Sequence, residues 1–497
     1  MPMKGRRPID SRLLRALMAV AAAAPLATAC ATGSVRTADT RVPPAYEAPQ
    51  PADKAAPVAL DRWWTLYNDP QLTDLVEQAL DHSPDAKDAV SKLQQALAVR
   101  RAALTAYDPQ GQLSASISKP NYTDLNPSSA ASNPFSFNPV QFLGIETDSV
   151  GFAVTWELDL FGRRAAARRS ANADFRAAGF TYAAARWSLA ANVADSLFQA
   201  RGLAIQLDQA EETLRIERQL FNASKARADH GLAPQSDTAQ TEANVQGAEA
   251  QAQDLRAQLT AARRQLLLLV GRGVDPLASL PMAAEVGAPP PAPESVPGEL
   301  LSHRPDVRVA QEQVESALGK LSLDKRALLP TISLQPSAGL TEEGVGPDTQ
   351  FSYWTLAAGM TAPVLDRPRL LSQVRQQRAV AEQAVIAYEK AVQTAYGDAE
   401  TAFTYYDSDK KRVALLTAAE KNAGFAYQAK ETGYTRGLND LQTALTAEAN
   451  WRQARLSLAS AQVTLMQRSV QVFKALGGGW SAPALKSARR IGDGAAG

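Results

Sequence analysis

One cysteine and three histidines are the whole supply of soft metal ligands in 497 residues. They do not cluster with the spacing of a zinc or copper site, and Cys30 has no partner for an intrachain disulfide. The chemistry open to Cys30 is acylation. It follows an apolar run from Ala16 to about Ala27 and the small residues Ala27-Thr28-Ala29, where a new N-terminus could be lipidated. The bland alternative is ordinary cleavage after Ala29, since Ala27-Thr28-Ala29 is itself a small-x-small site. His82 and His303 each stand two residues before a Pro-Asp pair, so a structural role at a helix start outweighs metal binding for both. His230 falls in a turn. There is no nucleophile–base constellation, and Gly271-Arg272-Gly273 falls far short of a phosphate-cradling loop. The expectation is a protein that is not an enzyme and holds no metal and no cofactor.

The N-terminus explains the context of Cys30. Lys4, Arg6, Arg7, Arg12 and Arg15 precede the apolar run, which at about 12 residues is too short to cross a bilayer and suits a signal peptide over 1–29. With Asp10, that segment carries +4, so its removal takes the formal charge from +1 to −3 (1 − 4). The 52 basic and 51 acidic residues give no reason to expect nucleic acid as a partner. No other stretch reads as a membrane helix, so a membrane role requires β-strands. One acyl chain anchors only marginally, so more than Cys30 must hold the mature chain in place.

The elements that position these residues occur twice. Leu80, His82, Pro84, Asp85, Leu97, Ala106 and Pro109 recur 221 residues later (301 − 80) as Leu301, His303, Pro305, Asp306, Leu318, Ala327 and Pro330. Gly231-Leu232, Glu242-Ala243-Asn244 and Gly271 recur 206 residues later (437 − 231) as Gly437-Leu438, Glu448-Ala449-Asn450 and Gly477. The spacing predicts two equivalent repeats, 71–271 and 298–477, after an extended segment 30–70. A Pro-rich linker 272–297 joins them, and a tail 478–497 follows.

Each repeat reads alike. A short helix over about 71–81 follows the aromatic patch Trp63-Trp64 and Tyr67, which is expected to pack onto the body. The next helix starts at Ser83-Pro84-Asp85 and carries a narrow stripe at Ala86, Val90, Leu93, Leu97 and Leu104. The period then changes from 3.6 to 2. Strands over 112–118 and 150–160, and again over 331–340 and 351–364, alternate apolar and polar residues, as strands between lipid and a wet lumen must. On that pattern Glu157 and Asp159 point into the lumen. No proline interrupts 140–233 or 369–482, and a helix over 163–229 would be about 100 Å long. Turn-backs are expected at His230–Pro234 and at Gly433–Gly437, with the returning helices stopping at Gly271 and Gly477–Gly479.

Four strands cannot close a barrel, and an open edge has no partner in lipid. The barrel must therefore be shared. Two chains would leave an interior filled by side chains, so a conducting barrel favours three. The expected fold is mainly α with membrane β: a duplicated β-hairpin (112–160 and 331–364) plus long coiled-coil helices, assembled as a trimeric α-barrel and β-barrel.

These segments resemble a known family. Trp63-Trp64 through Asn68-Asp69-Pro70-Gln71-Leu72, Trp156-Glu157-Leu158-Asp159-Leu160-Phe161-Gly162-Arg163, Leu301-Ser302-His303-Arg304-Pro305-Asp306-Val307 and Leu329-Pro330-Thr331-Ile332-Ser333-Leu334 are similar to the outer-membrane efflux factors. These are the TolC-like channels, and the likeness is strongest to their lipoprotein branch, which serves resistance-nodulation-division pumps. The resemblance spans about 60–477. It implies a homotrimeric, passive exit duct for small molecules in the cell outer membrane, with a long periplasmic extension, a lipid anchor at Cys30 and a part in drug resistance. The implied partners are a periplasmic adaptor, an inner-membrane pump and outer-membrane lipid.

In this family the periplasmic tip closes at the second turn-back. Carried over residue by residue, the gate is Tyr434, Arg436, Asp440, Gln442 and Thr446. Relatives often carry a Leu and an Asp where this chain has Gln442 and Thr446. Asp440 is the nearest acid. It would form a ring of carboxylates in a trimer, or else simply start a helix whose dipole favours it. The alternative function is a periplasmic coiled-coil adaptor, but adaptors have one hairpin and this chain has two, with membrane-type strands in duplicate.

Overall fold

The structure is a computed structural model of the chain. It describes residues 34–49, 60–119, 147–293, 296–343 and 349–477. Cys30, the signal segment 1–29 and the tail 478–497 lie outside the described residues. The first repeat contains α1 (Pro70–His82), α2 (Pro84–Thr105), β1 (Gln110–Ser118), β2 (Thr147–Leu158), α3 (Arg163–Asp229) and α4 (Gln235–Val270). The second contains a single turn Leu300–His303, α5 (Pro305–Arg326), β3 (Thr331–Glu343), β4 (Thr349–Thr361), α6 (Arg367–Thr435) and α7 (Leu441–Leu476). No helix among the described residues is long and apolar enough to cross a membrane. These residues fall into two compact units, one drawn from Met1–Thr37, Ala98–Asp174 and Gln313–Ala384, the other from Ala38–Leu97, Phe175–Glu312 and Val385–Gly497.

The first unit holds one antiparallel sheet in the order β1-β2-β3-β4. Its register sorts the faces, because paired residues point the same way. Leu113, Phe152, Ala338 and Trp354 form one row of the apolar face. Ser114, Gly151, Gly339 and Tyr353 form a row of the other. The apolar face is bare: Leu113 is 72% and Trp354 81% exposed. On the polar face the Tyr353 hydroxyl overlies Gly339, where a Cβ would sit only 2.7 Å away. Pro336 lacks an N–H, and the β2–β3 ladder is interrupted there, between Ala153↔Ser337 and Trp156↔Leu334. β4 begins and ends earlier than its alternation suggested. Pro363 cannot continue a ladder, and the strand stops at Thr361. Helices α3 and α5 meet closely in this unit, since a Cβ on Gly319 would come within 2.7 Å of the Ser170 amide.

The second unit is helical. Its core gathers Trp63, Leu72, Val76, Leu189, Val193, Leu197, Phe198, Leu267, Val470 and Phe473. A second cluster gathers Tyr46, Leu300, Val307, Ala395, Ala399 and Phe403. At the offset of 206, Leu189, Val193 and Leu197 become Ala395, Ala399 and Phe403, so the same helical face is repacked with one larger and two smaller side chains. Trp63 stacks on Phe473 at 5.5 Å and meets Trp64 edge-on, which buries the aromatic patch. Gly271 and Gly477 end α4 and α7 in the left-handed conformation, with φ of 85° and 90°. Each sits on a backbone carbonyl, Gly271 on His82 and Gly477 on His303, where a Cβ would lie at 2.8 and 2.7 Å. That contact explains why both histidine segments recur with both glycines. The proline-rich linker offers carbonyls but few N–H groups. Arg264 donates to Gly273 O and Asp275 O at 2.8 Å, and Arg263 donates to Leu280 O at 3.0 Å, which ties the linker to α4.

Candidate functional site

Two places gather the residues singled out in the sequence: the turn-backs between long helices, and the polar face of the sheet.

The turn-backs share one backbone design. At the first, Gly231 has φ 69°, its amide bonds Ala228 O at 2.9 Å, and the Leu232 amide reaches Arg227 O at 2.8 Å. At the second, Gly437 has φ 76°, its amide bonds Tyr434 O at 3.0 Å, and the Leu438 amide reaches Gly433 O at 2.7 Å. These paired bonds satisfy the last carbonyls of α3 and α6, and only glycine takes the left-handed position without strain. Each turn leaves a leucine in solvent, Leu232 at 72% and Leu438 at 78% exposure. α6 continues as helix to Thr435, so Gly433 lies inside it and the second turn-back starts later than the glycines suggested. Gly433 is needed for another reason: a Cβ there would collide with the Asn439 amide, which donates to Lys430 O at 3.3 Å.

Of the five gate residues, Tyr434 is only 5% exposed and belongs to a cluster with Ile216, Leu220, Tyr427 and Ala444. The Arg227 guanidinium lies 5.1 Å from its ring, so the tyrosine joins α6 to α3. Arg436 is exposed at the turn. Asp440 caps α7 by accepting from the Thr443 amide at 2.7 Å. Hydrogen bonds from the Thr443 side chain and amide hold its carboxyl below the ordinary aspartate value. Gln442 and Thr446 are exposed one turn apart on α7, and the Thr446 hydroxyl donates to Gln442 O at 2.7 Å.

On the sheet, Glu157 shares the polar face with Ser333 and Gly359 and pairs with Arg163 at 3.3 Å. β2 ends at Leu158, so Asp159 is not part of the strand; it lies in the turn where the Leu160 amide bonds Leu158 O at 2.9 Å. The turn is closed by Gly162 at φ 77° and by Arg326, which donates to Phe161 O at 2.8 Å.

Two charged arrangements escaped the sequence reading. Asp69 caps α1 through the Leu72 amide at 3.1 Å and accepts from Arg201 of α3, with both side chains largely buried. Burial alone would raise the Asp69 carboxyl, but Arg201 and the helix amides outweigh it and hold it below its ordinary value. Glu217 of α3 and Glu448 of α7 are buried and share Arg452, each at 3.7 Å. Only the position of Glu448 hinted at this, on the buried stripe of α7 with Ala444. Among the described residues, no group of three or more His, Cys, Asp or Glu could hold a metal ion.

A sheet with one bare apolar face, joined to long helices that turn back at two equivalent tips, defines a channel-forming outer-membrane protein. The family model for outer membrane efflux proteins matches residues 75–272 and 296–478, and the chain belongs to that family. It is 27% identical over 460 residues to the pyoverdine export outer membrane protein OpmQ of Pseudomonas putida, covering 91% of this chain and 95% of that protein. It is 25% identical over 429 residues to the toluene efflux pump outer membrane protein TtgF of Pseudomonas putida, covering 84% and 85%. The fold matches the outer-membrane channel OprN at a TM-score of 0.76 and 25% identity, covering 91% and 100%. It also matches the Campylobacter jejuni CmeC outer membrane channel at 0.81 and 19% identity, covering 93% and 98%. The protein is an outer-membrane efflux channel with a periplasmic helical extension.

Proposed function

We propose that the chain is the passive exit duct of a tripartite efflux system and works as a homotrimer. The observation that carries this reading is the open four-stranded sheet with its bare apolar face. Its edge strands β1 and β4 need partners in lipid. Three copies supply twelve strands (3 × 4), enough to enclose a wet lumen lined by the polar face. Small molecules pass from an inner-membrane pump and a periplasmic adaptor, and the duct performs no chemistry of its own. The turns carrying Leu232 and Leu438 are the contacts offered to the adaptor, because each presents a bare apolar side chain on a rigid turn. The second tip is the gate, with Arg436, Asp440, Gln442 and Thr446 at the opening and Tyr434 holding it to α3. Glu157 faces the lumen, with Asp159 just past the strand. Cys30 carries lipid at the mature N-terminus and adds an anchor to the barrel. The domain reading follows: a signal peptide 1–29, two repeats 71–271 and 298–477, and a linker 272–297.

The first test is the mass of the protein extracted by detergent from isolated outer membranes. Three chains per particle are expected; a monomer released without detergent would overturn the reading. Replacing Phe152 and Trp156 together with Lys places charge on the lipid face, at about 2–4 kcal/mol each at mid-membrane depth, and should abolish outer-membrane assembly. Labelling with a palmitate analogue should mark the protein and be lost in Cys30→Ala; a label that persisted would refute acylation at Cys30.

A further inference from the structure

A cavity of about 770 Å³ opens among α3, α4 and α7, within the helical unit. Its polar wall includes Gln209, Glu217, Asn244, Glu448 and Arg452, and its apolar wall includes Leu255 and Leu456. Glu217 is 2% exposed. Its Oε2 and the Gln209 Oε1 are buried acceptors with no hydrogen-bond partner. Orphan acceptors of this kind are costly and call for a donor. The charge balance calls for the same thing. Two buried carboxylates, Glu217 and Glu448, share the single guanidinium of Arg452, at 3.7 Å from each. Arg455 is turned onto the Trp451 ring at 4.9 Å.

We propose that this cavity binds small organic amines, with the ammonium donating to Glu217 Oε2 and Gln209 Oε1 and the hydrocarbon part lying against Leu255 and Leu456. An ammonium brings donors and no acceptor, and its charge completes the set of two carboxylates and one guanidinium. A carboxylate or phosphate would meet unpaired oxygens of its own sign. The duplication supplies an internal control. At the offset of 206, Gln209 and Glu217 correspond to Leu415 and Ala423 of α6. The same helical hairpin is therefore built without these acceptors, so pairing of the long helices does not require them. The site stands on α3, α4 and α7 of one chain and does not depend on the duct reading or on the number of subunits.

Binding should depend on pH. The groups facing Glu217 are Arg452, Arg455 and Glu448 from α7 and Tyr427 and Glu431 from α6, while α4 contributes only uncharged residues to the cavity. Burial raises the Glu217 carboxyl above the ordinary glutamate value, with Arg452 and Asn244 opposing. The carboxylate form is the one that holds the amine, so affinity is lost as pH falls through that raised value.

The test uses the full-length protein in detergent and calorimetric titration at pH 7.5 with 2-phenylethylamine and its neutral isostere 2-phenylethanol. The amine is expected to bind at least about tenfold more tightly than the alcohol, the worth of one charge-assisted hydrogen bond. Glu217→Gln should remove that preference and flatten the loss of amine affinity between pH 7.5 and pH 5. Gln209→Leu keeps every charge, so it guards against a misfolded Glu217 variant, and it should weaken the amine severalfold. Equal binding of amine and alcohol, no binding of either, or amine affinity unchanged in both variants would each overturn the proposal. None of these outcomes bears on the subunit mass that tests the duct.

Discussion

The two turn-backs descend from one design and start their return helices differently. Gly231 and Gly437 hold the same left-handed turn, and Leu232 and Leu438 are equally bare. Three residues past the glycine they part. Pro234 precedes α4 with no side-chain cap, whereas Asp440 caps α7 through the Thr443 amide. Asn439 adds a bond back to Lys430 O, and Tyr434 seats under Arg227. Duplication kept what the backbone requires and let the side chains around it diverge, which left the second tip more tightly tied than the first. The same holds at the other end of the helical unit. In the first repeat Asp69 is clamped by Arg201, while at the matching place, 221 residues on, Pro290 merely accepts from the Tyr406 hydroxyl at 3.3 Å.

This comparison can be broken at that clamp first. Arg201→Met leaves Asp69 buried beside an apolar chain and should cost about 3 kcal/mol, the low end for a severed buried pair. Tyr406→Phe, in the second repeat, should cost only about 1 kcal/mol, one neutral hydrogen bond. Thermal unfolding of the extracted protein followed by circular dichroism measures both. The Arg201 effect has a pH signature. The Asp69 value is depressed in the fold, so its stabilisation is present above the ordinary aspartate range and lost as pH falls through the native value. The gap between wild type and Arg201→Met should thus be full at pH 7 and close on acidification below about pH 4.

Next come the paired glycines. Gly271→Ala and Gly477→Ala each set a Cβ against a histidine carbonyl at positive φ and should each cost about 1–3 kcal/mol. If one were tolerated and the other not, the two repeats would not be packed alike at their helix ends. The smallest effects sharpen the contrast between tips. Asp440→Ala removes the cap of α7 and should lower the melting temperature slightly. Pro234→Asp gives α4 the cap it lacks and should raise it, by about 0.5–1 kcal/mol of stability. A gain at Pro234 as large as the loss at Asp440 would show that capping alone separates the tips.

Much of this was legible in residue order. Helix starts such as Pro84-Asp85 and stops such as Gly271 are written within one turn of chain, and β1 and β2 lie within two or three residues of their alternation. The misplacements are equally local. Asp159 continues the alternation of β2 but falls past its last ladder pair, and Gly433 resembles a turn glycine but serves Asn439. The candidate site was read less completely. Tyr434, Arg436 and Asp440 were found as a run, yet nothing along the chain foretold that Tyr434 is buried against Arg227 while Arg436 is bare.

What the sequence by itself determined is the repeat, the order of elements and the faces of the strands. Each of these follows from periods of 2 and 3.6 and from caps a few residues long. What only the tertiary structure decided is which charges are buried together. Asp69 meets Arg201 across 132 positions, and Glu217 meets Arg452 from another helix altogether. Such pairs have no period and no motif, because burial of a charge depends on which helix faces come together in space.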